Sequence, residues 1–212
     1  EILGFEALVR RQHPTRGLVP PDEFISFAED NGFIAALGEQ VLNMACCQIA
    51  QWERAGVMPP NLTVSVNMAA QQLLHPDILS QVSELIASTG IEAHRLHLEL
   101  TERSIIQSSD WVDEVLRSLQ TSNIHLSIDD FGTGYSALSY LHTLPVNSLK
   151  IDRSFVQPMT TIAESLGIVP LIINIAKTMN MLVISLVIET PTLQMHLQIL
   201  GCAYCQCYFF IE

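Results

Sequence analysis

Residues 125–130 read His125-Leu126-Ser127-Ile128-Asp129-Asp130, a short β-prone stretch that ends in two adjacent carboxylates. Its β-branched and apolar residues favour a short buried strand, and carboxylates at the end of such a strand are costly unless they are paired, hydrogen-bonded or bound to metal. Similar β-prone runs recur about every 30 residues, the spacing of βαβ units. These runs are Leu62 to Asn67, Leu96 to Thr101, His125 to Asp130, Ser148 to Asp152, Leu182 to Ile188 and Tyr204 to Phe210.

Apolar residues at helical spacing fill most of the gaps between these runs. The predicted helices are Pro21 to Ala55, Pro76 to Ser88, Trp111 to Ser122, Ile162 to Met179 and Thr192 to Leu200. Strands that alternate with helices predict an α/β fold with a mostly parallel sheet, either doubly wound or closed into a (β/α) barrel. The 212 residues fit one domain of either kind.

Composition and charge exclude several classes of protein. Hydrophobic residues make up 49% of the chain, which excludes global disorder, and the net charge of −12 argues against binding bulk nucleic acid. We find no membrane-spanning run and no signal peptide, so we expect no direct membrane contact from this domain. The five cysteines do not suggest a disulfide framework. These features predict a cytoplasmic domain, which is compatible with a membrane anchor elsewhere in a full-length protein.

Several of the predicted strands end in oxygen-bearing side chains. Glu6, Asn67, Glu99 and Asp129 offer hard oxygen ligands, which suit Mg²⁺, Mn²⁺ or Ca²⁺. Asp129 and Asp130 can bridge two cations, and two cations can clamp both the attacking and the leaving oxygen of a phosphoryl group. Because the chain is acidic and would repel phosphate, these residues predict a phosphodiester site in which a metal ion mediates the contact with phosphate.

Further polar residues fit the same site. Lys150 can orient an attacking water or offset its charge, and Arg10 can grip a phosphate oxygen. Asp152 and Gln206 also lie at strand ends, which together predict a site at the C-terminal mouth of a barrel. The alternative for each acid taken singly, Glu102 and Asp152 among them, is helix capping and solvation at the surface.

Motifs follow one another in a fixed order along the chain: Glu6-Ala7-Leu8 with Arg10, Asn67, Glu99-Leu100-Thr101-Glu102, Asp129-Asp130-Phe131-Gly132-Thr133-Gly134-Tyr135-Ser136, Lys150-Ile151-Asp152 and Gln206. In order and spacing they resemble the EAL domain of bacterial cyclic-di-GMP phosphodiesterases. The resemblance implies a TIM-like (β/α) barrel with an antiparallel first strand, and a further strand before residue 1. It also implies that residues 1–212 are a single EAL domain from a longer multidomain signalling protein.

The resemblance further implies hydrolysis of cyclic di-GMP to pGpG, with Mg²⁺ or Mn²⁺ required and Ca²⁺ inhibitory. It implies these roles: first-metal ligands Glu6, Asn67, Glu99 and Asp129; second-metal residues Asp129 and Asp130; Lys150 at the nucleophilic water; Glu102 steadying the loop after the aspartates; and Leu8, Arg10, Asp152 and Gln206 lining the substrate. It is compatible with a homodimer and with an adjoining GGDEF, PAS or receiver domain.

The sequence departs from the family pattern at residues 185–190, which read Ser-Leu-Val-Ile-Glu-Thr where members typically read Ala-Glu-Gly-Val-Glu-Thr. The first glutamate of that motif, a second-metal residue, falls on Leu186, which has no oxygen to offer. Either a neighbouring acid such as Glu189 replaces it, or the domain binds cyclic di-GMP as a receptor or regulatory module without cutting it. The cluster Cys202, Cys205 and Cys207 is better explained by a buried strand than by a soft metal site.

Overall fold

The computed structural model describes residues 2–59, 61–106, 110–133, 141–159, 167–186, 190–202 and 204–206. The chain divides into two compact units, Glu1–Leu100 with Ser108–His125 and Thr101–Gln107 with Leu126–Glu212. In chain order the described elements are β1 (Gly4–Ala7), β2 (Arg11–His13), β3 (Gly17–Val19), α1 (Ile25–Asp30), α2 (Ile34–Arg54), β4 (Thr63–Asn67), α3 (Ala70–Leu73), α4 (Ile78–Thr89), β5 (Leu96–Thr101), α5 (Glu102–Ile106), α6 (Asp110–Thr121), β6 (His125–Phe131), β7 (Ser148–Ile151), α7 (Arg153–Val156), α8 (Ile168–Thr178), β8 (Leu182–Leu186), α9 (Pro191–Leu200) and β9 (Tyr204–Gln206).

In the first unit, β1, β4 and β5 pair side by side and in parallel. The register places Glu6 beside Ser65 and Asn67 beside Glu99. Helices α2 and α4 contact each other, and α2 also covers β4 with the buried side chains of Leu42, Cys46 and Ile49 among others. These buried positions recur every three to four residues, which is why the segment folds as an amphipathic helix.

In the second unit, β6, β7, β8 and β9 pair in parallel in that order. Helix α8 packs on β7 and β8, and its buried residues are Val169, Ile172, Ile173 and Ala176. All four residues of β7 are buried, including Lys150. A strand that is buried on both faces normally consists almost entirely of apolar residues. A buried lysine within such a strand therefore indicates a functional position.

The predicted single helix from Pro21 to Ala55 is wrong in one respect, because the structure divides it. A short 3₁₀ helix spans Pro21–Glu23, and α1 ends at Asp30 before α2 begins at Ile34. Gly32 lies between the two helices with φ +73°, a left-handed conformation that ends α1 and that other residues seldom adopt. The remaining predicted helices and strands agree with the structure to within a few residues where the structure describes them, whereas the short helices α3, α5 and α7 were not predicted.

Several features extend or limit the sequence prediction. The antiparallel β2–β3 hairpin was not predicted. The first described strand, β1, pairs in parallel with β4, so it is not the antiparallel first strand that the resemblance implies. The strand expected before residue 1 and the single-domain assignment stay predictions.

Part of the predicted helix Ile162 to Met179 and the ends of the last two predicted strands lie outside the described residues. Within the described part of the chain, no helix has both the length and the apolar character needed to cross a membrane.

A buried arginine joins separate segments of the first unit. The Nε atom of Arg95 lies 2.8 Å from Oε1 of Glu53 and 3.5 Å from Oε2 of Glu92, and its NH1 group donates to the carbonyl oxygen of Pro59. Only 8% of Arg95 is exposed, so its charge depends on these partners. The contacts therefore hold the end of α2 and the segment after it against the start of β5.

We predict that Arg95→Ala lowers the free energy of unfolding by about 2–4 kcal/mol, because it leaves a half-buried Glu53 carboxylate without its partner. Urea unfolding measures the change. The matched control is Arg16→Ala, which removes an exposed ion pair with Glu23 and should change stability by less than about 1 kcal/mol. Equal effects of the two substitutions would contradict a structural role for Arg95.

Candidate functional site

Three of the predicted metal ligands meet at the carboxyl ends of β1, β4 and β5 in the first unit. The Nδ2 group of Asn67 donates a hydrogen bond to Oε1 of Glu6 (2.6 Å), and Asn67 lies beside Glu99 in the strand register. Ligand oxygens of Glu6 and Glu99 lie within 4.8 Å of each other. Parallel, in-register strands bring such ends to the same edge of a sheet, so three residues far apart in sequence come together.

The predicted substrate residues Leu8 and Arg10 follow β1 directly. Both are exposed. The guanidinium of Arg10 donates to the carbonyl oxygen of the adjacent Val9 (2.8 Å), a local contact that leaves further guanidinium N–H groups for other acceptors. The structure therefore presents Arg10 at the end of the strand that carries Glu6.

Asp129 and Asp130 occupy an irregularity at the end of β6. Ile128 pairs with Leu149 and Phe131 pairs with Ile151, so β6 advances three residues where β7 advances two. Asp130 has φ +52°, and its backbone N–H donates to Oδ1 of Asp129 (3.0 Å). Consecutive side chains of a regular strand point to opposite faces, and a bulge removes this constraint. The bulge allows both carboxylates to act on one site.

Lys150 is the buried cation beside these aspartates. It is 1% exposed, and its Nζ atom lies 3.8 Å from Oδ1 of Asp129. Burial, followed by the negative charges of Asp129 and Asp152, raises the pKa of Asp130 to about 6, while the charge of Lys150 opposes the rise. This electrostatic balance is typical of a site that is short of positive charge and suited to a divalent cation.

Asp152 lies at the amino end of α7, as the capping alternative predicted. Its carboxylate accepts hydrogen bonds from the backbone N–H and the hydroxyl of Ser154. Burial raises the pKa of Asp152, but the hydrogen bonds from Ser154 and the charge of Arg153 outweigh burial and hold the pKa below its ordinary value. Asp152 is also close enough to Asp130 to affect its pKa, so capping and a place in the site are compatible.

Glu102 holds the turn that follows the two aspartates. Its buried carboxylate accepts a hydrogen bond at Oε2 from the backbone N–H of Gly132 (3.0 Å). Gly132 has φ +99°, and a Cβ atom there would lie 2.8 Å from the ring of Phe155. Both observations require glycine at this position. The rest of the Gly-Thr-Gly segment, from residue 134 onward, lies outside the described residues.

Leu186 ends β8 beside Gln206 of β9. Lys150 pairs with Ile184, and residues two apart on a strand face the same way, so Lys150, Ile184 and Leu186 lie on one face of the sheet. Leu186 is half-buried there. Position 186 thus presents an apolar side chain to the face that carries the buried lysine. Glu189 lies outside the described residues, as does Cys207.

The first unit contains a stacked histidine pair that the sequence pattern does not predict. The rings of His97 and His125 lie 4.1 Å apart at their centroids, with 17° between their planes. Burial lowers the pKa of His97 to about 3, helped by His125 and His94, and burial also lowers the pKa of His125. Both rings are therefore neutral at pH 7, which removes the charge repulsion that would oppose stacking.

The donors that these two groups of residues offer fit a hard divalent cation. Glu6, Asn67 and Glu99 supply carboxylate and amide oxygens, and the Asp129–Asp130 bulge supplies further carboxylates. Mg²⁺ and Mn²⁺ prefer such oxygen ligands, whereas thiolates and imidazoles select softer metals. The donors in each unit are therefore of the hard oxygen type that the sequence predicted.

The chain belongs to the EAL domain family, whose model matches residues 1–212. It is 38% identical over 210 residues to the cyclic di-GMP phosphodiesterase NbdA of Pseudomonas aeruginosa, covering 99% of this chain and 27% of that protein. It is 36% identical to MucR of the same organism, a bifunctional diguanylate cyclase/cyclic di-GMP phosphodiesterase, over 95% of this chain and 29% of that protein. The chain thus spans little more than a quarter of the length of these relatives.

Solved structures agree with the family assignment. The phosphodiesterase part of MucR, in a complex with c-di-GMP, superposes with a TM-score of 0.92 at 34% identity, covering all of this chain and 85% of that one. The FimX EAL domain from Pseudomonas aeruginosa, bound to c-di-GMP, matches with a TM-score of 0.87 over 98% of this chain and 82% of that one, at 21% identity, which supports the fold alone. These matches confirm the predicted fold class, the TIM-like (β/α) fold of EAL domains.

We predict that Glu102→Ala speeds hydrogen exchange at the Gly132 amide by about 10-fold or more, because the hydrogen bond to a buried charge is lost. Exchange measured by NMR tests this. Glu102→Gln is the matched control, since its amide oxygen can still accept from Gly132 and should retain most of the protection. Unchanged exchange in the alanine variant would show that Glu102 does not hold the turn.

Proposed function

We propose that this chain is a metal-dependent phosphodiesterase that hydrolyses cyclic di-GMP to pGpG. The observation that carries the proposal is the meeting of Glu6, Asn67 and Glu99 at adjacent strand ends, with ligand oxygens of the two glutamates within 4.8 Å. Membership of the EAL family and the likeness to a phosphodiesterase solved with c-di-GMP support the choice of substrate.

In the proposed site, Glu6, Asn67, Glu99 and Asp129 hold the first cation, and Asp129 and Asp130 face a second. The cation is Mg²⁺ or Mn²⁺, with Ca²⁺ inhibitory, as in the family. A divalent cation bound there would acidify a water and draw charge from a phosphate oxygen. The support for this assignment from the chain itself is the set of hard oxygen donors and the bulge that frees both aspartates.

The chain's own residues have separate tasks in this proposal. Lys150 is fixed by burial and lies 3.8 Å from Asp129, so its ammonium can orient the attacking water and offset negative charge as the phosphorus–oxygen bond breaks. Glu102 fixes the Gly132 turn next to the aspartates. Leu8, Arg10, Asp152 and Gln206 contact the dinucleotide or its water network, with Arg10 binding phosphate through its N–H groups.

The test is incubation of the protein with cyclic di-GMP and Mn²⁺, followed by chromatography for pGpG. We expect metal-dependent product from the parent and a loss of at least about 100-fold in Glu6→Ala, which lacks one ligand. Glu29→Ala removes an exposed acid on α1 and should retain activity. Full activity of Glu6→Ala would refute its assignment as a ligand.

A second function, that of a cyclic di-GMP receptor without hydrolysis, is favoured by Leu186. Leucine contributes no ligand to a second cation, and it lies on the same sheet face as Lys150. In this reading the first-metal residues and Arg10 still bind the nucleotide, and the domain passes the signal to a partner. Micromolar binding without any pGpG would support the receptor and exclude the enzyme.

We predict that Leu186→Glu raises the turnover of cyclic di-GMP by about 10-fold or more, because it adds a carboxylate on the face of Lys150. Steady-state kinetics across a Mn²⁺ titration measure the effect, and the metal concentration at half-maximal rate should fall. Leu186→Gln has a similar size without the charge and should restore much less. If the parent is active and neither substitution changes its rate, position 186 has no part in the metal site.

A further inference from the structure

The surface formed by α1 and α2 is acidic, and its single basic residue is the exposed Arg54 at the C-terminal end of α2. Residues 17–53 include six acids and no lysine, arginine or histidine. Of these acids, Asp22, Glu23, Glu29, Asp30 and Glu39 are exposed, and Glu23 is already paired with Arg16. Such a segment attracts cationic partners over a distance of about one Debye length.

A stripe of apolar side chains runs along the solvent-facing side of α2. Positions 33, 37, 40, 44 and 47 alternate steps of four and three residues, the spacing of a helix that packs along another helix. Four of them are the apolar Phe33, Leu37, Met44 and Cys47, and the middle position is the polar Gln40. Phe33 is 63% and Met44 is 64% exposed, while Leu37 between them is half-buried. Phe27 of α1 adds a further ring that is 65% exposed. The opposite side of α2 is already covered, so this stripe is not needed for the core.

A groove beside the stripe provides a place for a cationic side chain. It has a volume of about 320 Å³ and is lined by residues of α2, α3 and α4 together with Gly32 and His75. Glu39 lines it as an exposed carboxylate, and Gln72 and Gln81 add amide groups. A lysine or arginine reaching into this groove would find an anion and amide oxygens as partners.

We propose that the α1–α2 surface is a docking site for a basic amphipathic helix of another protein. The apolar face of that helix would pack on Phe33, Leu37 and Met44, and a lysine or arginine beside it would enter the groove at Glu39. Neither the EAL family assignment nor the proposed hydrolysis uses these residues, so the docking site is independent of both.

Charge argues against the two other occupants of an exposed apolar stripe. A second copy of this chain would bring a second net charge of −12 and another acidic α1–α2 surface to the interface. An anionic membrane would be repelled in the same way, because binding to such a surface needs lysine or arginine near the apolar residues. A cationic helix would instead be attracted by the same acidic residues that repel a second copy of the chain and an anionic membrane.

The experiment measures binding of a fluorescent synthetic helix of about 18 residues, five turns, with leucine at alternating steps of four and three and lysine beside them. A second peptide has glutamate in place of every lysine. Fluorescence anisotropy with the whole chain gives the dissociation constants. We expect the lysine peptide to bind more weakly as salt rises, and the glutamate peptide to bind at least about 10-fold more weakly than the lysine peptide.

Matched variants separate docking at this surface from general attraction to an acidic protein. Phe33→Ser, Met44→Ser and Glu39→Lys should each weaken binding of the lysine peptide about 10-fold. The controls are Ile199→Ser, at an apolar residue of α9 that is more exposed than Phe33 or Met44, and Glu114→Lys, at an exposed acid of α6. Each control should change the binding of the lysine peptide less than about twofold. Glu39→Lys should also improve binding of the glutamate peptide. Circular dichroism checks that each variant is folded.

Each other outcome overturns the proposal. If the control variants weaken binding as much as the stripe variants, the peptide recognises net charge alone. If the parent forms dimers in sedimentation that Phe33→Ser and Met44→Ser abolish, a second copy occupies the stripe. If the parent binds phosphatidylserine vesicles and these variants do not, the occupant is a membrane. If the lysine peptide binds the parent no better than the glutamate peptide does, the acidic surface has no role.

Discussion

Burial of charge at the ends of parallel strands is the constraint on which the structure of the candidate site depends. Glu99, Glu102 and Lys150 are each 3% exposed or less, and an ion in such a place costs several kcal/mol unless neighbouring groups satisfy it. The chain meets this cost locally. Asp129 accompanies Lys150, and the Gly132 amide donates to Glu102. The apolar strands around these residues fix the charged atoms in place, which a catalytic or binding site requires.

The sequence predicted the alternation of strands and helices because hydrophobic periodicity is a local property. It failed at Gly32, where apolar spacing continues through a turn that divides the predicted helix from Pro21 to Ala55. A glycine inside a helix costs only about 1 kcal/mol, so composition alone does not distinguish a tolerated glycine from one with φ +73°. The backbone contact between Phe33 and Ala28 closes that turn, and such a contact is not visible in a hydrophobic pattern.

The site residues were predictable by type, but their arrangement was not. Oxygen-bearing side chains at strand ends predicted Glu6, Asn67, Glu99 and Asp129 as ligands, and the structure brings the first three together because in-register parallel strands carry their ends to one edge. The bulge at Asp129 and Asp130 depends on a register shift against β7, which no local pattern encodes. The stacking of His97 on His125 likewise joins positions 28 residues apart, and their shifted pKa values follow from burial that only the folded chain provides.

Leu186 separates the requirements of binding from those of cutting. In the proposed site, binding of a cyclic dinucleotide would depend on contacts made equally by the ground state and the transition state, such as a cation on phosphate and the guanidinium of Arg10. Hydrolysis needs groups whose effect grows as the attacking water loses its proton, and a second cation is one of them. In the proposed site, Asp129 and Asp130 alone would hold that cation. Weakening it by one carboxylate therefore reduces cutting more than binding, so a single substitution can turn an enzyme into a receptor without altering the fold.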